Sequence, residues 1–583
     1  MLSLDTLGIE HNLKQSSLKD DYLSHYEYEI SRRFTSKFNL LIITKEKIDD
    51  VISVYSTKYP ESEITLASYG NAEKNLDSPS NVNYINFPSL DDLINYAIFI
   101  RPDVIIEHCS NRKSHKLKLL KKLFFILSNG GLYFIQELHA KFIPSLIDCD
   151  GPDILDLINE VSQLKISTPE LKKTADIHTV AIAQCCESIL IRGKLGVLVK
   201  NKTSLKGLRD NQARNMIDSG ILNGEIIIAN DNPYEFSHSI TSSVINQKKP
   251  SSRNPSKFKI PETFLFRYQN VNCDVGQVAY KDGYLLPDSF RIQMKKNLAN
   301  KNITPLVDDF FCLKNNKKEA QYLPGEFLYL DSEHPGHFGH FTSEVISRLW
   351  AWDTIKNISP NAKVLIGLEK GKSLPKFMQA ILSSFGIEND DIVTFDDKIT
   401  VDVLYAATPY YVINNHINPL IKDVWDKIGQ NTNNGVSGIV GNKLFIARPE
   451  EGGGDRRKCL NAERLENIFR EKGFEFYNPE KHSWKDQVKT FTNAEVIAGY
   501  AGSGSFNMMF SSGHKKLIMI GSTSYTSANE HYICSIKGFD LTYFVGDSLI
   551  KQENGWTVKA AMSDYYFNYE RDEQALIDVL NNL

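Results

Sequence analysis

Alternating strand-like and helix-like segments fill the first 145 residues of the chain. Continuous apolar runs at Phe38–Thr44 and Val104–His108 predict buried strands, and Glu63–Leu66 predicts another strand between them. A helix is expected over residues 116–127, and a further strand over residues 131–138. Strands that alternate with helices build parallel sheets covered by helices. This part is therefore predicted to be a Rossmann-like α/β domain.

A second series of the same kind occupies the C-terminal half. Its apolar runs predict strands at Phe327–Leu330, Val364–Gly367, Asp391–Phe395, Leu444–Ala447, Phe474–Tyr477 and Ala494–Gly499. Between the fourth and fifth runs, Leu465, Ile468 and Phe469 recur at helical spacing. Strand, helix, strand, helix, strand and then a Gly-rich loop that opens a helix is the pattern of half a nucleotide-binding α/β domain.

The length of the chain predicts more than one domain. A chain of 583 residues exceeds what one hydrophobic core usually supports. The Pro- and Ser-rich segment 247–256 is the best linker candidate, and residues 188–199 resemble a β-hairpin. We expect four parts: a Rossmann-like domain over 1–150, a connecting α+β region over 151–257, and two further sub-domains over 258–425 and 426–583.

Composition narrows the class of protein. Hydrophobic residues make up 42% and charged residues 24%, as in soluble globular proteins, and a net charge of -4 gives no support for nucleic-acid binding. The eight cysteines form no CxxC pair, so neither a disulfide framework nor a zinc site is expected. The N-terminus lacks signal-peptide features, and no apolar run approaches the ~20 residues of a membrane span. We expect a cytoplasmic protein, with peripheral membrane attachment and homo-oligomerisation left open.

The Gly-rich turn near residue 502 has the chemistry of an anion site. A turn of small residues at a helix N-terminus exposes backbone N–H groups and the positive end of the helix dipole. The turn consists of Gly502, Ser503, Gly504 and Ser505. Arg448, Arg456 and Arg457 could add fork-shaped donors for a diphosphate. The alternative is that the turn only connects two elements and the arginines lie on the surface.

A second candidate site lies on the helix predicted to start near Phe341. His340 and Glu344 are four residues apart and share one helix face, which Arg348 extends by another turn. Either His340 or Glu344 could act as a general base in a partly buried cleft. The competing interpretation makes His340 a helix-capping residue and Glu344 the ion-pair partner of Arg348. No metal is expected beside His337, because no carboxylate or cysteine set completes a coordination shell there.

Taken in order, these blocks resemble family 61 glycosyltransferases. The matching positions are Gly339-His340-Phe341, Glu344, Arg348-Leu349-Trp350, Arg448, Arg457, Asn461, Glu463, Gln487, Ala494–Ile497, Gly499, Gly502-Ser503-Gly504, Asn507 and Phe510. The resemblance covers the C-terminal half of the chain. One position departs from it: many members carry His before the glycine turn, where this chain has Ala501.

The resemblance implies a GT-B-like architecture of two Rossmann-like sub-domains and an inverting transfer of a sugar. Because the region shows no convincing Asp-x-Asp motif to hold a metal on the diphosphate, the transfer is expected to be metal-independent. The expected donor is a UDP-sugar, and the expected acceptor is an oligosaccharide or polysaccharide. Because eukaryotic members usually carry a secretory signal or anchor, a bacterial enzyme of capsule or lipopolysaccharide synthesis is expected. Glu344 or His340 would be the base, while Arg448, Arg457 and the 502–505 turn would bind the diphosphate. The expected supporting residues are Arg456, Asn461, Glu463, Gln487, Asn507 and His337.

The N-terminal pattern resembles class I S-adenosylmethionine methyltransferases. The resemblance rests on the strand Val104–His108, the helix after it and the strand that begins Gly130-Gly131-Leu132-Tyr133. The first strand should lead into a Gly-rich loop that lets the cofactor approach the backbone, but Lys45-Glu46-Lys47 stands there. We therefore expect a methyltransferase-like domain that has lost its cofactor.

Two other functions stay open on the sequence alone. The first is a sugar or glycan methyltransferase that uses the N-terminal domain. The second is a non-catalytic glycan-binding protein, which the Ala501 departure favours. The joint presence of His340, Glu344, Arg448 and Arg457 favours the glycosyltransferase.

Overall fold

A computed structural model describes two compact units. The first unit contains residues 1–209, 280–287 and 297–317, and the second contains 210–279, 288–296 and 318–583. The described residues are 2–45, 47–70, 78–166, 168, 173–230, 232–245, 254–314, 319–433, 441–448, 457–553 and 555–583. The linker candidate 247–256 lies mostly outside these ranges, and Arg456 lies outside them as well. The proposed four-part division stays a prediction.

The strands are numbered along the chain. They are β1 Asn39–Thr44, β2 Glu63–Tyr69, β3 Val82–Phe87, β4 Val104–His108, β5 Leu132–Ile135, β6 Cys186–Arg192, β7 Leu195–Lys200, β8 Leu205–Gly207, β9 Gly224–Asn230, β10 Tyr234–Ser237, β11 Ser242–Val244, β12 Lys257–Ile260, β13 Thr263–Asp274, β14 Val278–Lys281, β15 Tyr284–Leu285, β16 Ile303–Pro305, β17 Phe310–Leu313, β18 Gln321–Tyr329, β19 Lys363–Gly367, β20 Ile392–Phe395, β21 Ile399–Ala407, β22 Tyr411–Val412, β23 His416–Ile417, β24 Lys443–Ile446, β25 Glu475–Tyr477, β26 Val496–Tyr500, β27 Lys516–Ser522, β28 Asp540–Ser548 and β29 Tyr565–Tyr566.

The helices fall into two groups by geometry. The α-helices are Leu4–Glu10, Leu23–Ser31, Ile48–Lys58, Leu90–Ala97, Lys113–Leu123, Ile154–Ile166, Ile177–Cys185, Asp210–Asp218, Phe338–His340, Trp352–Ile358, Lys376–Phe385, Ile421–Thr432, Ala462–Glu471, Trp484–Asn493, Asn529–Lys537, Val558–Ala561 and Tyr569–Asn581. Tighter or wider turns are Phe124–Ile126, Leu138–Phe142, Pro144–Leu146, Pro287–Ser289, Phe341–Val345, Ile346–Ala351, Asn389–Asp391, Pro479–Lys481 and Ser503–Phe510.

The main sheet of the first unit has the order β3-β2-β1-β4-β5-β7-β6. Strands β1 to β5 are parallel, and the predicted hairpin forms β6 and β7, which add to the sheet in antiparallel fashion. Both faces are apolar because β1 and β4 are continuous runs of buried residues. The order 3-2-1-4-5 of the parallel strands is that of the nucleotide-binding Rossmann fold. The predicted Rossmann-like domain is confirmed.

The second unit contains two sheets, each with a run of parallel strands, and in the first of them β21 also pairs antiparallel with β13. In the first, β21, β18, β19 and β20 lie side by side and parallel, which is the order 4-1-2-3 of a Rossmann half. In the second, the order β25-β24-β26-β27-β28 corresponds to 2-1-3-4-5, the other common doubly wound order. The two predicted Rossmann-like sub-domains are therefore confirmed. The short strand β11 adds to the edge of the second sheet, parallel to β28.

Two helices near the candidate sites differ from the regular helices expected. The segment from Phe338 to Ala351 widens into a π turn over Phe341–Val345 and then tightens into a 3₁₀ turn. Such π turns are rare and occur often at functional sites. The helix after the glycine turn, Ser503–Phe510, is 3₁₀ rather than α. The Ser505 hydroxyl bonds the Gly502 carbonyl at 2.9 Å, an i to i−3 contact that favours the tighter turn.

Candidate functional site

The His340–Glu344 pair lies where the strand order of the first sheet in the second unit reverses. This point is between β18 and β21, and ligands of open α/β sheets bind beyond the carboxyl ends of such strands. The chain after β18 forms the loop and helix that carry both residues, and the chain after β21 runs beside them. The Ile413 N–H donates to Glu344 Oε1 at 3.3 Å. The fold therefore brings the predicted pair to a ligand-binding position.

Glu344 is the centre of a charged hydrogen-bond network. Its Oε2 atom lies 2.7 Å from His340 Nδ1 and accepts from Arg291 Nε at 3.1 Å. Its Oε1 atom accepts from Arg291 Nη2 at 3.0 Å. A fork-shaped pair of this kind fixes the carboxylate in position and direction. His340 and Glu344 were predicted to share one helix face, and their side chains are in direct contact.

Glu344 is a carboxylate rather than a group tuned to neutrality. Burial would raise its pKa, but the His340 hydrogen bond and the charge of Arg291 outweigh burial and lower the pKa to about 2. A carboxylate this weakly basic is unsuited to accept a proton near neutral pH. It is well suited to hold the N–H of an imidazole at Nδ1, which leaves Nε2 of His340 as the acceptor.

Two further histidines, His334 and His337, lie beside the pair. His334 and His340 stack with ring centroids 4.2 Å apart, and His334 Nε2 lies 3.4 Å from Arg291 Nη1. His337 is the N-cap of the helix, because its Nδ1 atom accepts the His340 N–H at 3.3 Å. In the described ranges no three His, Cys, Asp or Glu side chains are arranged to hold a metal ion.

The arginine partner of Glu344 was missed by sequence reasoning. The competing interpretation paired Glu344 with Arg348, but Arg348 is buried and its Nη1 atom donates to the Asp331 carbonyl at 3.5 Å. Arg291 supplies the charge instead, from an irregular segment 53 residues upstream. No periodic pattern marks Arg291, so only a set of related sequences could have singled it out.

The predicted diphosphate site lies at the strand-order reversal of the second sheet. That reversal is between β24 and β26, which lead into Arg448 and Gly502 respectively. Arg448 does not point freely into solvent: it donates to the carbonyl of Arg457 and, from Nη2, to the carbonyl of Ala501 at 3.3 Å. Arg448 thereby ties the loops that follow the two strands.

The glycine turn leaves part of its amide surface for an anion. Gly502 has a φ of +148°, and a Cβ there would lie 3.3 Å from Arg457 Nη2, so a side chain would be strained and crowded. The Gly502 N–H already donates to the buried Glu530 carboxylate at 2.8 Å. Ser503 and Gly504 are half-buried and open the 3₁₀ helix, where the first N–H groups have no intrahelical acceptor. Those two amides are the anion donors that the turn can offer.

Arg457 is held over an aromatic ring beside the same turn. Its guanidinium carbon lies 3.6 Å from the centroid of Tyr525, a cation–π contact. Its Nε atom is buried without a hydrogen-bond partner among the described residues. A Cβ built on Gly339 would lie only 3.0 Å from Ser503 Cβ, so the histidine segment closely approaches the turn. The proposed base and the anion donors therefore belong to one site.

The supporting residues divide into structural and outward-facing groups. Asn461 pairs with the backbone of Phe567, donating to its carbonyl at 2.8 Å and accepting its N–H at 2.9 Å. Asn507 donates to Gln487 Oε1 at 2.7 Å, which joins the 3₁₀ helix to the helix before it. Glu463 is exposed in the first turn of its helix. These contacts support the site's framework and leave no visible role in reading a nucleotide.

The corresponding crevice of the first unit is filled by its own side chains. Between β1 and β4, the Gln15 amide lies 2.7 Å from His108 Nδ1. Burial, together with Lys116 and Lys14, lowers the pKa of His108 to about 4. Lys116 is buried and donates to the Gln136 carbonyl at 2.8 Å, and Lys45 lies 3.9 Å from the Tyr69 ring centroid at the end of β2. Lys116 also lies 3.5 Å from the buried Glu107 carboxylate, so the side chains of this crevice pair with one another.

Comparisons with known proteins point to one family. The family model described as Glycosyltransferase 61 matches residues 338–518, which contain the histidine helix and the glycine turn. No characterised protein matches the sequence. No helix among the described residues combines the length and the apolar character needed to cross a membrane.

Solved structures of a methyltransferase match with low similarity. The MycE methyltransferase from the mycinamycin biosynthetic pathway, in complex with Mg and SAH, matches at 14% identity and a TM-score of 0.29. The same enzyme with Mg, SAH and mycinamycin VI matches at 13% identity and a TM-score of 0.29. Each match covers 34% of this chain and 55% of the other chain, so about half of each matched structure is spanned. These scores carry no argument, and the Rossmann-like fold of the first unit rests on its strand order.

The family match and the geometry concern the same residues. His340, Glu344, Arg448, Arg457 and the 502–505 turn all fall within the matched range. Residues 338–518 are therefore similar to the glycosyltransferase 61 family.

Proposed function

We propose that the protein transfers a sugar, with inversion and without a metal, from a UDP-sugar to a carbohydrate acceptor. The observation that carries the proposal is the 2.7 Å contact between His340 Nδ1 and Glu344 Oε2, next to the glycine turn. A histidine held at Nδ1 by a carboxylate presents Nε2 as a base, and the neighbouring amides can hold a departing diphosphate.

His340 is the proposed base, and Glu344 and Arg291 position it. The acceptor hydroxyl attacks the anomeric carbon while its proton passes to His340 Nε2, and the bond from the anomeric carbon to the diphosphate oxygen breaks. One in-line displacement inverts the configuration. Glu344 stabilises the imidazolium that forms, and Arg291 keeps Glu344 ionised.

Arg457 and the first amides of the 3₁₀ helix are the proposed diphosphate donors. Ser503 and Gly504 contribute N–H groups, and Arg457 contributes a charge held in place by Tyr525. Arg448 acts indirectly, because its guanidinium bonds the carbonyls of Arg457 and Ala501. Preorganised donors of this kind stabilise the developing charge without reorganising during the reaction.

The setting of the reaction is part of the proposal. A cytoplasmic enzyme of bacterial capsule or lipopolysaccharide synthesis, attached peripherally to a membrane, would use a nucleotide-sugar and a glycan acceptor of this kind. The family match supports the sugar donor and the glycan acceptor in general terms. The UDP linkage and the polysaccharide are inferences from the resemblance.

A binding screen tests the proposal directly. The purified full chain is titrated calorimetrically with UDP, GDP, CMP and their common sugar conjugates, with and without EDTA, and with S-adenosylmethionine. We expect binding of UDP and a UDP-sugar that EDTA leaves unchanged, and loss of that binding in Arg457→Ala. The matched control is Arg464→Ala, an exposed arginine bonded to Glu573. Binding of S-adenosylmethionine without any response to nucleotides would overturn the proposal in favour of the methyltransferase.

A second measurement separates catalysis from binding alone. Release of UDP from the bound UDP-sugar is followed with a panel of glycan acceptors. Acceptor-dependent release supports transfer, whereas tight donor binding without release by any acceptor or by water would favour a non-catalytic glycan-binding protein.

A further inference from the structure

A cluster of exposed apolar side chains follows β28 in the second unit. The exposed fractions are 59% for Leu549, 39% for Ile550, 63% for Trp556, 63% for Val558 and 38% for Met562. We call these five residues the Trp556 patch. Exposed apolar patches on soluble proteins often mark docking sites.

The segment that carries the Trp556 patch is exposed, and polar contacts hold its backbone in place. Among the described residues of 551–559, all but Gln552 are exposed. The Gln552 side chain accepts the Thr557 N–H at 2.7 Å and donates to the Ser524 carbonyl at 3.1 Å. Thr557 caps the short helix Val558–Ala561 by accepting the Ala560 N–H at 3.3 Å. The segment is therefore built to present Trp556 and Val558 outward.

We propose that the Trp556 patch docks the protein on an anionic lipid surface. Exposed apolar side chains can enter a bilayer without a complementary groove, whereas a protein partner would need one. Tryptophan and aliphatic side chains favour the boundary between headgroups and acyl chains. The exposed charges of the segment are Lys551, Lys559 and Glu553, so cations outnumber anions two to one beside the apolar patch. This charge complements anionic headgroups.

The patch is tied to the rim of the candidate site. The Ser524 hydroxyl donates to the Ile550 carbonyl at 2.6 Å, and Tyr525, the next residue, stacks under Arg457. Docking through the patch would hold the proposed diphosphate-binding residues beside the lipid headgroups. The patch would be the surface through which the protein attaches to the membrane, and in this respect the inference rests on the proposed function.

Vesicle co-sedimentation of the full chain tests the inference. We expect binding to phosphatidylcholine vesicles that contain phosphatidylglycerol and weaker binding to phosphatidylcholine alone. The double variant Trp556→Ser/Val558→Ser should bind at least about tenfold more weakly, because two apolar side chains no longer enter the bilayer. The control Tyr322→Ser/Ile358→Ser removes two side chains that are 60% and 49% exposed elsewhere, and should bind as the wild type does.

Two outcomes would overturn the inference. One is the absence of vesicle binding, or binding that the double variant retains in full. The other is a wild-type dimer by light scattering that the double variant converts to a monomer, which would assign the patch to a second copy of the chain. Circular dichroism of both variants checks folding. The experiment measures binding and not transfer, so it can fail while UDP-sugar binding and transfer stand.

Discussion

Both units contain the position at which open α/β sheets usually bind ligands, but different side chains surround it in each unit. In the first unit, the reversal between β1 and β4 is filled by Gln15, His108 and Lys116. In the second unit, the reversals beyond β18 and β24 carry a His–Glu–Arg network and a glycine turn. Strand order alone therefore does not decide function.

The difference lies in the residues directly after the strands. After β1 the chain places Lys45, whereas after β26 it places Ala501, Gly502 and Ser503. Small residues let a ligand approach the backbone, and long cationic side chains occupy the same space themselves. A few residues at strand ends thus distinguish the crevice proposed to bind a diphosphate from one occupied by long side chains.

The largest expected effect is on the proposed base. His340→Ala should lower kcat about 10²–10⁴-fold, the usual contribution of a positioned general base, and leave UDP affinity unchanged. Steady-state kinetics and calorimetry measure the two quantities. His334→Ala is the matched histidine control and should lose far less activity. A kcat for His340→Ala within twofold of the wild type would remove His340 from the proposed role.

The next effect concerns the proposed diphosphate site beyond β24. Arg457→Ala should lower kcat/KM about 10²–10³-fold, because one preorganised donor to the leaving group is lost. Arg457→Lys keeps the charge but loses the fork and should fall between the wild type and alanine. If alanine and lysine behave alike and both match the wild type, the crevice does not hold the diphosphate through this residue.

A smaller effect should follow from Arg291. Arg291→Met leaves the buried Glu344 carboxylate without its guanidinium, and breaking a buried pair costs about 3–5 kcal/mol of stability. The loss of positive charge should also raise the pKa of Glu344 and move the acidic limb of the pH–rate profile. Arg291→Lys should recover part of the stability and of the profile. A profile that does not move, despite a lower melting temperature, would make Arg291 a purely structural residue.

The pH dependence of stability offers a subtler test. Glu344 has a pKa of about 2 when folded, below the ~4.3 of an unfolded glutamate. Its ionised form therefore stabilises the fold above pH ~4.3, and this contribution disappears as the pH falls toward 2. Glu344→Gln should melt below the wild type near pH 7, and the gap should narrow as the pH is lowered. A gap that stays constant over this range would contradict the assigned pKa.

The last prediction is that a ligand has no effect on the first unit, whose crevice is occupied by its own side chains. S-adenosylmethionine should not change the melting temperature of the wild type, because Gln15 and Lys116 occupy the position between β1 and β4. A UDP-sugar serves as the positive control in the same assay. A saturable rise with S-adenosylmethionine would erase the contrast between the two units.

Local periodicity in the sequence was enough to predict the central strands and one contact of the site. Continuous apolar runs placed β1, β4, β19 and β26 within one or two residues, and i,i+4 spacing brought His340 and Glu344 together. The short strand β11 was missed, because Ser242-Ser243-Val244 carries too little apolar pattern to stand out.

Tertiary contacts between distant residues could not be predicted in this way. Arg291 reaches Glu344 from a segment without regular structure, and Glu530 takes the Gly502 N–H from a helix 28 residues further on. Arg448 was identified as a diphosphate donor from its residue type, yet its guanidinium bonds backbone carbonyls. Residue type names the chemistry, but the direction of a long side chain depends on its packing.

The composition of the first unit limits how the protein can be taken apart. The backbone leaves one unit for the other after residues 209, 279, 287, 296 and 317, so the first unit is assembled from three separate stretches. Phe310, from the last of these, packs on Phe125 with ring centroids 5.6 Å apart. A fragment that ends at residue 209 would lose part of its core, and a fragment that begins at residue 210 would carry two orphaned segments. Gene fusions and truncations should therefore keep the two units together, and limited proteolysis should not release either unit as a stable fragment.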